Sequence, residues 1–397
     1  MSACTILILA LAQFPAVDDL PEVEELPDPF IRHDNYRLIE AWQWPERRKE
    51  MIDLVSYYEY GHMPPPAPVT AEGMLTQSIL DGKAMQYTFN LLIGENFRMQ
   101  CGLITPQGSG PFPTVIAIDP AWHDHNRPTA KLLTERGYAY AGFMYHEVDN
   151  DDDNKLDNIY PHFPGNDWGT LAAWAWAATR LTDYLVTDPR VDKEKLIITG
   201  HSRTGKAALW AGALDERIAI VAPHSSGTGG AGALRFCNKG GESLAWITSK
   251  VAFHYWFHPR LAEFAGHEKR LPFDQHFVKA LVAPRAFLSL EGRDDLWSNL
   301  LGTQQTHWAA QEVYHFLDAD DRIAFWLRDG GHDMIPEDWK AMADFADHIF
   351  YEKPLPEGFD QYPYPDVAPA FSWRSPETEA DRKKKEASKD IIQVFQR

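Results

Sequence analysis

Three successive strand-like runs, 74–80, Ala84–Ile93 and 97–105, are separated by turn signals at Asp81-Gly82 and Gly94-Glu95-Asn96, and apolar and polar residues alternate along much of the second and third. Period-two alternation between turn residues predicts antiparallel strands. Past residue 110 the pattern changes to short, mainly apolar runs: 114–118, 138–145, 196–199, 218–222, 286–290 and 323–327. Strands apolar on both sides belong in a sheet covered on both faces. Segments of helical spacing lie between and after them, at 130–136, 168–185, 206–214, 277–281, 303–317 and Pro336–Tyr351. The alternation predicts an α/β fold, a doubly wound three-layer sandwich whose mostly parallel sheet has an antiparallel opening. In such a sheet ligands belong at the carboxyl ends of the strands.

The remaining stretches set the domain limits. Residues 1–12 end in Ala10-Leu11-Ala12 and resemble the apolar core of a secretory signal without its basic start. A signal whose true start lies upstream is expected, and with it a secreted or periplasmic protein; the alternative is a buried N-terminal strand. Residues 17–30 are acidic and Pro-punctuated and are expected to lie extended over the surface. Residues 42–60 have helical spacing up to Gly61-His62-Met63-Pro64-Pro65-Pro66. The segment 222–286 is too long for a simple crossover and rich in aromatics (Trp246, Phe253, Tyr255, Trp256, Phe257). It reads as an insertion over the active-site face. One catalytic domain over 13–353 and a C-terminal surface arm over 354–397, closing in a short helix, complete the layout.

Composition narrows the partners. A formal net charge of −19 disfavours nucleic acid and anionic membranes, which both reward basic surfaces. The 14 Trp suit either an aromatic core or a sugar-binding surface. Three cysteines make no disulfide framework; Cys101 and Cys237 could pair or stay free, and neither has zinc-site spacing. No metal or cofactor is expected, and the chain is expected to be a monomer.

Chemistry concentrates at Gly200-His201-Ser202-Arg203-Thr204-Gly205-Lys206, between the apolar run 196–199 and a helical segment. A serine on a tight strand-to-helix turn is the nucleophile elbow of the α/β-hydrolase fold, though here the second glycine stands one place late, at 205. A serine nucleophile needs a base, and the base an orienting acid, in the chain order Ser, acid, His. The run 286–290 is followed by Asp294 and Asp295, of which Asp295 is preferred. The run 323–327 is followed by Gly330-Gly331-His332, whose glycines let His332 swing back over the sheet. His201, inside the turn, is expected to be structural.

The elbow resembles the G-[CH]-S-R-x-G-K motif of glucuronoyl esterases, carbohydrate esterase family fifteen. So do Ser226-Gly227-Thr228-Gly229-Gly230-Ala231, Leu271-Pro272-Phe273-Asp274-Gln275-His276, Asp295-Leu296-Trp297 and Gly330-Gly331-His332. Leu26-Pro27-Asp28-Pro29-Phe30 and Tyr58-Glu59-Tyr60-Gly61-His62-Met63 are similar to bacterial members. The resemblance implies cleavage of esters between 4-O-methyl-glucuronic acid of xylan and lignin alcohols. It implies Ser202 as nucleophile, His332 as base and then acid, and Arg203 as a charged donor to the oxyanion. Lys206, Glu242 and Trp297 match residues that contact the sugar. Two departures stand out. Fungal members carry the triad acid as a Glu where this chain has Ser225, which puts more weight on Asp295. Their cysteine staple around the nucleophile and histidine falls on His201 and Asp333.

The expected function is therefore that of a secreted serine esterase acting on glucuronoyl esters of plant or algal cell-wall polymers. An acetyl-xylan or cinnamoyl esterase of the same fold, or a catalytically idle carbohydrate-binding homologue, are the alternatives. Asp149, Asp151, Asp153 and Asp157 faintly resemble a calcium loop but lack its glycine and closing Glu. A mobile acidic loop at the cleft rim, shaping polymer access and performing no chemistry, is expected there.

Overall fold

The computed structural model describes residues 14–378 and 380–383. The signal-like residues 1–12, Cys4 among them, and most of the expected terminal helix lie outside these residues. Among the described residues, nine strands form one sheet: β1 (Val69–Ile79), β2 (Ala84–Ile93), β3 (Phe97–Pro106), β4 (Phe112–Ala117), β5 (Ala139–Phe143), β6 (Val191–His201), β7 (Ile218–His224), β8 (Ala286–Gly292) and β9 (Ile323–Arg328). Their order is β1-β2-β3-β5-β4-β6-β7-β8-β9. Strand β2 pairs antiparallel with both β1 and β3, and β3 pairs antiparallel with β5; from β5 to β9 every pairing is parallel.

The helices are α1 (Trp44–Val55), α2 (Arg127–Glu135), α3 (Tyr145–Val148), α4 (Thr170–Leu185), α5 (Arg203–Leu214), α6 (Leu244–Ile247), α7 (Gln275–Ala280), α8 (Leu300–Phe316) and α9 (Pro336–Tyr351). Apolar residues of α2 and α9 pack on one face of the sheet, and those of α1, α4, α5, α7 and α8 on the other. The two cores make the three-layer α/β-hydrolase sandwich. The helical spacing of 42–60 resolves into α1 followed by a π-helical turn, Ser56–Tyr60.

This topology fixes where a ligand can sit. From β4 the chain passes through α2 to β5 on one side, then through α4 to β6 on the other side of β4. The winding reverses between β4 and β6, and the loops leaving these two strands part to open a crevice. Ala117 at the end of β4, Ile118 and Asp119 after it, and the turn after β6 line a cavity of about 500 Å³ there.

The tryptophans divide between core and surface. Trp174, Trp176 and Trp210 are fully buried, while Trp42, Trp246 and Trp297 are exposed. Residues 354–378 run back across the molecule: Gln304 and Gln305 of α8 bind their backbone, Phe371 is buried, and Trp373 Nε1 donates to Leu26 O. Cys101 is buried, and both it and Cys237 are free. Among the described residues, no helix is long and apolar enough to cross a membrane.

Candidate active site

Strand β6 delivers Ser202 on a turn that few residues tolerate. Its backbone sits at φ 58°, ψ −122°, outside the regions open to ordinary L-residues, and the N–H is held by His224 O at 2.9 Å. The late glycine has a steric reason. A Cβ at Gly200 would lie 2.3 Å from Thr204 O, and one at Gly205 2.8 Å from Gly200 O, so the strand and helix can touch only through these two positions. Thr204 takes the intermediate place because its hydroxyl accepts from His201 N and bonds His201 O, both at 3.0 Å, bracing the turn.

His332 follows β9 and Asp295 follows β8. His332 Nδ1 lies 2.7 Å from Asp295 Oδ2. Asp294 points elsewhere, accepting from Gly330 N at 3.2 Å. Burial raises the Asp295 pKa, but hydrogen bonds from His332 and Ser298 outweigh it and hold the group below the ordinary carboxylate range. Ser298 had no place in the sequence reading. Its hydroxyl bonds Asp295 Oδ2 and its N–H lies 3.3 Å from Asp295 Oδ1, so Asp295-x-x-Ser298 is a capping pattern that orients the acid. Ser202, Arg203 and His332 share the walls of the 500 Å³ cavity. Ser202 and His332 meet across it without a direct hydrogen bond, a separation that substrate commonly closes.

Behind His332 stands a polar chain that the sequence hid. The His201 ring packs on the His332 ring with centroids 4.7 Å apart, and its Nδ1 lies 2.9 Å from His224 Nδ1. Burial, reinforced by His224 and His332, pushes the His201 pKa down to about 3, so His201 is neutral in ordinary buffers. One of the two Nδ1 atoms then carries the shared proton and the other accepts it. His224 Nε2 is 3.2 Å from Asp338 Oδ2, and Asp338 takes Arg328 Nε at 2.9 and 3.0 Å. Arg328 in turn donates to Asp329 O, Gly331 O and Asp333 O, clamping the loop on both sides of His332. His201 is thus structural, as expected, but it also lines the cavity.

Lys206 requires a correction. Read as a donor to sugar hydroxyls, it is only 2% exposed, and its ammonium group is spent on Glu242 Oε2 (2.6 Å), Ser226 O and Thr228 O (both 2.7 Å). An ammonium has three N–H donors, so none is left for a sugar. Burial lowers its pKa and Glu242 works against that shift. Gly227, at φ 62°, leaves room for the pair: a Cβ there would come within 2.7 Å of Glu242 Oε2. Lys206→Met should therefore destabilise the protein by about 3–5 kcal/mol, because Glu242 is left buried and unpaired. Adding Glu242→Gln should recover part of the loss in urea denaturation. A loss below about 1 kcal/mol for the single variant would contradict this account.

Glu242 and Trp297 do come together, through Glu242 N to Trp297 O at 2.9 Å. Trp297 is 44% exposed and meets the exposed Trp246 edge-on at 6.2 Å. Arg203 meets the acidic loop expected to be mobile: its guanidinium bonds Asp151. That loop is anchored: Asp149 is buried and accepts from Thr170 Oγ1 at 2.9 Å, from Asp151 N at 2.7 Å and from Tyr160 OH.

Known proteins resemble this chain over most of its length. The family model described as glucuronyl esterase, fungi, matches residues 93–318. Carbohydrate esterase MZ0003, from an unknown prokaryotic organism, is 34% identical across 81% of this chain and 89% of its own. The 4-O-methyl-glucuronoyl methylesterase of Podospora anserina is 30% identical across 77% of this chain and 63% of its own. Among solved structures, a carbohydrate esterase family 15 glucuronoyl esterase from Caldicellulosiruptor kristjansonii superposes with a TM-score of 0.77 at 32% identity, over 90% of this chain and 99% of that one. With a family model over more than half of its length and these relatives, the chain belongs to the glucuronoyl esterases of carbohydrate esterase family 15 and is a carboxylic-ester hydrolase.

Proposed function

We propose that the protein hydrolyses glucuronoyl esters of cell-wall polysaccharide through a Ser-His-Asp acyl-enzyme. The observation that carries this reading is the Asp295–His332 hydrogen bond at the edge of a cavity that Ser202 also lines. Ser202 Oγ attacks the ester carbonyl while His332 Nε2 takes its proton, and Asp295 stabilises the imidazolium that forms. The tetrahedral oxyanion draws on the N-terminal end of α5 and on Arg203. Collapse expels the alcohol with the proton from His332. Water, activated by the same imidazole, then releases the uronic acid and restores Ser202.

The exposed face of Trp297 reads the sugar, and the buried Glu242 supports it from below through its N–H to Trp297 O. Lys206 acts by holding Glu242. Export is proposed on the signal-like residues 1–12.

The test compares kcat/KM for benzyl glucuronate, p-nitrophenyl acetate and methyl ferulate, with Ser202→Ala as background. The expected preference for the glucuronate ester is about 100-fold or more, the scale of a site built to bond a substrate's hydroxyls. Faster turnover of the acetate or the ferulate would move the assignment to an acetyl or cinnamoyl esterase. No turnover of any ester would leave a carbohydrate-binding homologue.

A further inference from the structure

Arg203 is the first residue of α5, directly after Ser202, and its side chain is fixed from two directions. Nη1 donates to Asp151 Oδ2. The guanidinium carbon lies 5.4 Å from the Trp256 ring centroid and 5.7 Å from that of Phe253, and these two rings stack on each other at 3.9 Å. Both contacts are within cation–π range. Asp151 is held as firmly as it holds. Its Oδ1 accepts from Trp256 Nε1 at 2.6 Å, and its side chain is 11% exposed. Its backbone is left-handed, φ 63°, a conformation that costs a non-glycine residue about 1 kcal/mol or more.

The cost is met by the buried Asp149, which accepts from Asp151 N–H and is itself pinned to α4. Thr170 Oγ1 reaches its carboxylate at 2.9 Å, and Trp174 Nε1 reaches its carbonyl at 3.3 Å. A connected brace therefore runs from α4 through Asp149 and Asp151 to Arg203. A loop serving only as a solvated rim needs none of this.

We propose that Asp151 is a positioning residue for Arg203: it fixes the guanidinium beside Ser202 and balances its charge, so that the site accepts a neutral ester and releases an anionic acid. The proposal rests on the reading of Arg203 as an oxyanion donor. The physical reason is the change of charge across the reaction. The ester carbonyl is uncharged, whereas the product carboxylate would form strong, charge-assisted bonds to a bare guanidinium. With Asp151 occupying Nη1 and offsetting the charge, the guanidinium still has N–H groups to donate but is a poorer trap for the product. Holding the fork in one place also removes a reorganisation from the chemical step.

The experiment is a double-mutant cycle on benzyl glucuronate, with free glucuronate as product inhibitor. Arg203→Ala is expected to lower kcat by about 100-fold or more, the scale of a lost oxyanion donor. Asp151→Asn should lower kcat by about 10- to 100-fold with KM nearly unchanged. It should also lower the glucuronate Ki about tenfold, since the guanidinium charge is no longer balanced. In the Arg203→Ala background Asp151→Asn should cost less than about threefold and leave Ki unmoved. Trp256→Phe, which keeps the ring and removes the Nε1–H, should shift both readouts in the same direction by a smaller factor, and it provides a second test if Asp151→Asn folds poorly.

Equal losses from Asp151→Asn with and without Arg203, or an unchanged Ki, would overturn the proposal. If Arg203→Ala keeps its kcat, the oxyanion reading of Arg203 fails instead, and the Ki comparison alone decides the charge-balancing role.

Discussion

Ser202→Ala and His332→Ala are each expected to lower kcat on benzyl glucuronate by about 10⁴-fold or more, with thermal unfolding within a few degrees of the parent. Both residues line the cavity at the switch point between β4 and β6. Without the hydroxyl no acyl-enzyme forms. Without the imidazole the hydroxyl keeps its proton and the alcohol leaves as a poor, unprotonated group. The two losses should not add: Ser202→Ala/His332→Ala should be about as slow as either single variant, because the residues act as one unit. Single-turnover measurements would show no burst of alcohol from either variant. A Ser202→Ala enzyme that kept a tenth of the parent rate would remove the serine from the mechanism.

The second large effect concerns the acid. Asp295→Asn should cost about 10⁴ in kcat, whereas Asp294→Asn should change it less than about threefold. Asp295 contacts His332 Nδ1 at 2.7 Å and is oriented by Ser298, while Asp294 caps a backbone N–H at Gly330. An asparagine at 295 favours the wrong imidazole tautomer and leaves the imidazolium without a counter-charge. Because burial is already overcome by hydrogen bonds, the depressed pKa keeps Asp295 ionised down to acid pH. The kcat/KM profile of the parent should therefore show no loss attributable to Asp295 through the range where His332 works as a base. A larger loss from Asp294→Asn than from Asp295→Asn would reverse the assignment.

The loop around His332 shows how a missing staple can be replaced. The resemblance places fungal cysteines at 201 and 333, where this chain has His201 and Asp333. Arg328 donates to Asp333 O and to the carbonyls of Asp329 and Gly331, and Asp338 holds Arg328 Nε. A bonded arginine thus restrains the loop that a disulfide would restrain. No local pattern announces this, because three of the contacts are to backbone carbonyls, which every residue carries, and the fourth is to the carboxylate of Asp338 in the following helix.

What the sequence by itself determined is the part carried by local pattern. Strand-like runs parted by turn residues specified the antiparallel opening β1–β3, and mainly apolar runs specified the buried parallel strands. Strand-end positions put Ser202, Asp295 and His332 at one edge of the sheet, since a doubly wound topology brings the carboxyl ends of its parallel strands together. Only the tertiary structure decided what depends on which side chains share a buried volume. It separated Asp295 from Asp294, since one residue of register along a loop reverses a carboxylate's direction. It closed Lys206 onto Glu242, two residues 36 positions apart whose charges must pair once both leave water. It also turned the start of the acidic run 149–157 inward: Asp149 and Asp151 find donors on α4, on Trp256 and on Arg203, and a carboxylate with such donors is no longer a solvated one. Composition records how many charges a chain carries. Which of them stay in water is decided only when distant segments meet.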